Sequence, residues 1–113
     1  MSKYNARGVI EDGYTFDSQA EHRRYGQLRL QQEAGEISGL AVHPVFELLP
    51  KEGKLRAVHY EADFSYQENG PEPWRLVVED VKGISTAVFR LKMGLFKRRY
   101  PKVNVRIIPA GEV

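Results

Sequence analysis

Two residues two positions apart, Asp80 and Lys82, sit in the run VVEDVKG at 77–83, which with Glu79 places three charges among valines. If this run is a strand, alternate side chains share a face. Asp80 and Lys82 then project together, about 6–7 Å apart, while Glu79 points the other way. A second acid, Asp63, lies in YEADF at 60–64, within a preceding run of the same alternating kind. Carboxylates on adjacent strands suit a hard divalent cation through oxygen, and a lysine beside them supplies a positive charge. A purely structural reading also stands: Asp80 and Lys82 neutralise each other at a strand end, and Asp63 is a solvated polar-face residue. Glu21 is a third candidate acid. It follows Ser18 at the spacing of a capping box, in which the glutamate reaches back to the cap's N–H. It also shares a helical face with Tyr25 and Leu28, which have to pack on a sheet.

The elements that must carry these residues follow from periodicity. Residues 1–15 read as irregular, with Asp12-Gly13 as a turn. A helix is expected from 17 or 18 to about 34, stopped by Gly35. Residues 37–49 alternate, with Leu40, Val42, Phe46 and Leu48 on one side and Pro44 marking an edge or a bulge. A second strand is expected over 57–67. Its apolar face is Val58, Tyr60, Ala62, Phe64 and Tyr66, with His59, Glu61, Asp63 and Ser65 opposite. After turn chemistry at 67–73, a third strand covers 74–82. There Trp74, Leu76, Val78, Asp80 and Lys82 face one way, and Arg75, Val77, Glu79 and Val81 the other. Both faces begin apolar, as in a central strand covered on two sides. Ile84, Val88, Leu91 and Leu95 then recur at helical spacing and are predicted as a core stripe, until Pro101 ends the helix. A last strand is expected over 103–108. The class is α/β (α+β): a mixed sheet in the order α-β-β-β-α-β, with the second helix as a crossover.

Composition sets the outer limits. A chain of 113 residues with 42% hydrophobic content suits one domain, 1–113, whose core needs no staple. The absence of cysteine excludes disulfides and a thiolate zinc site. No apolar run reaches the ~18 residues of a membrane span, and the first residues, MSKYNARGVIEDG, contain no apolar signal core, so a cytoplasmic protein is expected. The net charge of +2 conceals an asymmetry: residues 84–113 hold seven basic side chains and one acid, against ten and fourteen in the rest. Arg90, Lys92, Lys97, Arg98 and Arg99 are therefore candidate contacts to a polyanion. The alternative is a solvated helix whose dipole favours cations near its C-terminus. His22, His43 and His59 lack the spacing of a zinc site.

With these elements in order, the chain resembles the PD-(D/E)XK nuclease superfamily. The motif of that superfamily, an acid on the second core strand and acid-x-lysine on the third, corresponds to Asp63, Asp80 and Lys82, and its first-helix glutamate to Glu21. The resemblance is closest to small phage and prophage-encoded members. It is carried by SKYN at 2–5, FDSQAE at 16–21, Arg24-Tyr25, GEI at 35–37, PVFEL at 44–48, YEADF at 60–64, VVEDVKG at 77–83, Leu91-Lys92 and Tyr100-Pro101. His43 departs from the branch's pattern, where a glutamine is expected. The resemblance implies a restriction-endonuclease-like fold and a Mg²⁺-dependent DNA endonuclease, with Mn²⁺ as an alternative ion. Glu21, Asp63, Asp80 and the carbonyl of Val81 would hold the metal, and Lys82 would act at the attacking water. It further implies a homodimer resolving Holliday or other branched junctions in bacteriophage DNA metabolism within a bacterial host. A nicking or replication-associated endonuclease is the alternative activity, and a DNA-binding protein without turnover is the alternative of another class.

Overall fold

The structure is a computed structural model and describes residues 8–70 and 75–113. Trp74 and the SKYN stretch lie outside the described residues. The segment expected to be irregular contains a hairpin, β1 (Val9–Glu11) paired antiparallel with β2 (Tyr14–Phe16). Its turn is the predicted Asp12-Gly13, with φ of 54° and 82°. Positive φ at both positions is what a two-residue type I′ hairpin requires, and Asp-Gly tolerates it. The hairpin is tied to the first helix, because Asp12 accepts from Tyr25 Oη at 2.6 Å and from Arg29 at 2.8 Å.

Helix α1 (Gln19–Glu33) begins where expected, with the Ser18 side chain accepting from the Glu21 N–H. It ends in a Schellman motif: Glu36 N–H bonds to Gln31 O, Gly35 N–H to Gln32 O, and Gly35 adopts φ 78°. That left-handed position costs glycine nothing. Ala20, Glu21, Tyr25 and Leu28 are its buried face.

The chain continues through β3 (Ile37–Val42), β4 (Val45–Leu49), β5 (Val58–Glu61), β6 (Phe64–Glu68), β7 (Arg75–Lys82), α2 (Ala87–Arg99) and β8 (Asn104–Pro109). A four-stranded sheet runs β3-β6-β7-β8, and β4-β5 is a separate antiparallel pair. Strands β6 and β7 are antiparallel, whereas β7 and β8 are parallel. Two parallel neighbours need a crossover, and α2 provides it. The protein is thus a mixed α+β fold, as its patterning implies.

Two core clusters flank the sheet. Phe16, Tyr25, Leu28, Ile37, Phe64, Tyr66 and Val77 pack on the α1 side. Leu48, Tyr60, Ala62, Val78, Met93 and Phe96 pack on the α2 side. Adjacent Val77 and Val78 point to opposite clusters, so β7 is the central strand covered on both faces.

Two further expectations are corrected. Each of the long strands at 37–49 and 57–67 is broken in two, the first around His43 and Pro44, the second at Ala62 and Asp63. Leu40 and Val42 pack with the α1 cluster, but Phe46 and Leu48 belong to the α2 side. Tyr60 and Ala62 likewise lie opposite Phe64 and Tyr66. Proline cannot donate to a ladder, and His43 adopts φ 55°, so the ribbon turns over at this point. The second correction concerns α2, whose core face is Phe89, Met93, Phe96 and Tyr100. Ile84, Val88 and Leu91 are 56%, 63% and 65% exposed, and only Leu95 of the predicted stripe packs on the core. Both sets have helical spacing; the larger aromatic surface is the one buried.

Candidate functional site

The two strand breaks face each other and are stitched by backbone. His43 N–H donates to Asp63 O at 2.9 Å, Ala62 N–H to Pro44 O at 3.0 Å, and Asp63 N–H to Glu79 O at 3.1 Å. The ladder is interrupted here, and His43 and Asp63 sit at the breaks. Glu21 descends on them from the first turn of α1. Its Oε1 lies 3.0 Å from His43 Nε2, and ligand atoms of Glu21, His43 and Asp63 all lie within 4.8 Å of one another. Ser18 caps the helix, but the Glu21 carboxylate is turned into this group. Two carboxylate oxygens and an imidazole nitrogen at such separations fit a divalent cation.

Asp80 and Lys82 complete the site from β7. Lys82 Nζ is 3.2 Å from Asp80 Oδ1 and 4.2 Å from the centre of the Phe89 ring, a contact that seats the ammonium against the first turn of α2. Tyr60 Oη donates to Asp80 Oδ2 at 2.5 Å. Burial, then the bond to Asp80, pushes the Tyr60 hydroxyl up, so it remains a donor. Asp63 Oδ2 accepts from Val81 N–H at 2.7 Å. In an extended strand the N–H and C=O of one residue point to the same edge, which aims the Val81 carbonyl toward Asp63.

The electrostatics are those of crowded acids, and Asp63 is the most perturbed of them. Burial first, then Asp80 and Glu21, pushes Asp63 up to about 8, against the Val81 N–H that lowers it. Burial likewise raises Glu21, although His43 opposes the shift. Carboxylates crowded out of water resist ionising together, and a bound cation is the usual means of relieving them.

Glu79 takes no part. It is fully buried on the α1 side, where Arg24 donates to both of its oxygens at 2.7 Å. Tyr66 Oη adds a third bond. The predicted division of the two faces of β7 therefore holds.

The basic residues divide between surface and structure. Lys97 and Arg98 are exposed in the last turn of α2, and Lys92 is half-buried. Arg99 is drawn to Glu47 at 3.6 Å, and Arg90 donates to Ser85 O at 2.9 Å. Arg106, one of the seven basic residues of 84–113, is bound to Glu68 at 2.8 Å and to Tyr66 Oη at 3.2 Å, which ties it to the fold. Beside Lys82 an open cleft of about 610 Å³ lies between the start of α1 and the end of β7, lined by Ser18, Ala20, Arg23, Val81, Lys82 and Gly111 among others. No motif links Arg23 to the acids, and Tyr60 alternates with core residues in its strand, so neither is marked in the sequence. For His43 the one local signal is the break at Pro44 that follows it.

No curated protein and no solved structure matches the chain. A family profile does match residues 1–111, and the chain belongs to that family, described as "Protein of unknown function (DUF1064)".

Proposed function

We propose that this protein is a divalent-metal-dependent endodeoxyribonuclease of the PD-(D/E)XK type. One observation carries the reading: Glu21 from α1 and Asp63 from a strand break fall in one cluster, and Asp80 of β7, paired with Lys82, is near enough to act on both carboxylates. Glu21, Asp63 and Asp80 would hold Mg²⁺, with Mn²⁺ as an alternative and the Val81 carbonyl as a further donor. When bound, such an ion neutralises charge at phosphoryl oxygens and makes water a competent nucleophile near neutral pH.

The chain's own residues do the remainder. Lys82, held by Asp80 and Phe89, places a positive charge beside the reacting phosphate, orients the attacking water and stabilises the phosphorane-like transition state. Tyr60 fixes the orientation of Asp80. Val81 N–H keeps one oxygen of Asp63 occupied and directs the other. Lys92, Lys97 and Arg98 would hold the DNA backbone along α2. Nine residues at ~1.5 Å rise place Arg98 about 13 Å along the axis from Phe89, the length of about four nucleotides at ~3.4 Å each. A small chain of this type, by resemblance phage-encoded, would act on branched DNA, and a homodimer would supply one site to each strand of a junction.

The deciding experiment is Mg²⁺-dependent cleavage of four-way junction, flap, nicked and linear duplex DNA by the wild type and by Asp80→Asn. Cleavage of the branched substrates that is lost in the variant is expected. No cleavage of any DNA with Mg²⁺ or Mn²⁺ would overturn the reading.

A further inference from the structure

We infer that His43 is itself a metal ligand, and that it biases the centre from Mg²⁺ toward a first-row transition ion, Mn²⁺ being the one equally suited to carboxylates. This rests on the metal-centre reading above and adds an ion preference to it.

Three observations converge on His43. Its imidazole nitrogen falls with oxygens of Glu21 and Asp63 inside a group spanning no more than 4.8 Å, which is a ligand set of mixed nitrogen and oxygen. Its backbone adopts φ 55°, a left-handed conformation disfavoured for a residue with a Cβ, and such outliers persist where surrounding structure enforces them. Here the enforcement is visible: His43 N–H is bonded to Asp63 O at 2.9 Å, Pro44 follows, and the Phe16 ring lies 6.0 Å away. The strained residue is thereby coupled to the very aspartate whose side chain shares the centre.

A structural role explains less. A histidine needed only to bond Glu21 could do so from an ordinary strand position, without a left-handed backbone in the middle of an interrupted ladder. The ion preference then follows from donor chemistry. Mg²⁺ is hard and takes oxygen almost exclusively, keeping several waters. Imidazole nitrogen binds first-row transition ions with a partly covalent bond that Mg²⁺ cannot form, and Mn²⁺ accepts carboxylate and imidazole together. An acid-only centre would discriminate weakly between Mg²⁺ and Mn²⁺; one with His43 would not.

The test reads metal binding, with no DNA present. Mn²⁺ is titrated into the purified full chain by electron paramagnetic resonance, Mg²⁺ by competition, and the frozen Mn²⁺ complex is inspected for ¹⁴N modulation from a coordinated imidazole. Expected are ¹⁴N coupling in the wild type, Mn²⁺ bound at least about tenfold tighter than Mg²⁺, and in His43→Gln loss of the coupling with about tenfold weaker Mn²⁺ binding. Mg²⁺ affinity should change little in that variant. The wild-type spectrum alone decides coordination if His43→Gln does not fold. Tight Mn²⁺ binding without ¹⁴N coupling, or coupling that survives in folded His43→Gln, overturns the role of His43 and leaves the carboxylate centre standing. Failure of the wild type to bind either ion overturns both.

Discussion

Glu79 and Asp80 are consecutive in β7, and their carboxylates lie on opposite sides of the central sheet. Glu79 is clasped by Arg24 and Tyr66 under α1, while Asp80 meets Tyr60 and Lys82 on the other side. Two adjacent acids are thus divided between a buried ion pair and the proposed metal centre by strand parity alone.

The pair predicts a separation of phenotypes. Glu79→Gln leaves the Arg24 guanidinium, whose side chain is 16% exposed, without its counter-charge. Breaking such a pair costs about 3–5 kcal/mol, so urea denaturation should show a loss of that order, with cleavage per folded molecule largely retained. Asp80→Asn should remain folded and lose on the order of 1,000-fold in rate. The reverse pattern would mean that the register of β7 is wrong.

Lys82→Ala should abolish cleavage while DNA binding survives. Its ammonium sits 3.2 Å from Asp80 beside the proposed metal centre, and the proposed backbone contacts lie farther along α2. Gel-shift titration with Ca²⁺, which takes the same oxygens with looser geometry, isolates binding from turnover. Parallel loss of both activities would place Lys82 among the DNA-holding residues.

Stability without a metal should depend on Asp63 with a definite sign. Its folded-state pKa is pushed from 3.8 to about 8, so the folded chain holds this proton more tightly than the unfolded one. That contribution is complete below about pH 4 and is lost as pH rises to about 8. Thermal unfolding in chelator should therefore show wild type losing stability relative to Asp63→Asn across this window. A constant difference between the two from about pH 5 to about pH 9 contradicts the linkage.

Salt dependence locates the DNA surface. Each phosphate contact adds about 0.9 to the logarithmic salt slope. Neutralising Lys97, Arg98 and Arg99 together should lower it by about two rather than nearly three, because Arg99 is partly engaged by Glu47. Arg106→Gln should leave the slope unchanged and reduce stability, since its partners are Glu68 and Tyr66. An unaltered slope in the triple variant would move the DNA surface off α2.

Much of this fold was legible because local rules decided it. Ser18 and Gly35 bound α1, Asp12-Gly13 makes its turn, and the alternation in 75–82 separates Asp80 from Glu79, since a two-residue period allows no other distribution of side chains. Alternation also read 37–49 and 57–67 as continuous strands and could not show that each turns over at His43 and Asp63. Nor could helical spacing say which apolar face of α2 is buried, because two faces satisfy the same period and only the shape of the opposing core selects Phe89, Met93 and Phe96. The approach of Glu21, His43 and Asp63 belongs wholly to the tertiary structure. It depends on two strand breaks bonded to each other across the sheet and on α1 packed over them, relationships between residues 18 to 42 positions apart that no local pattern encodes.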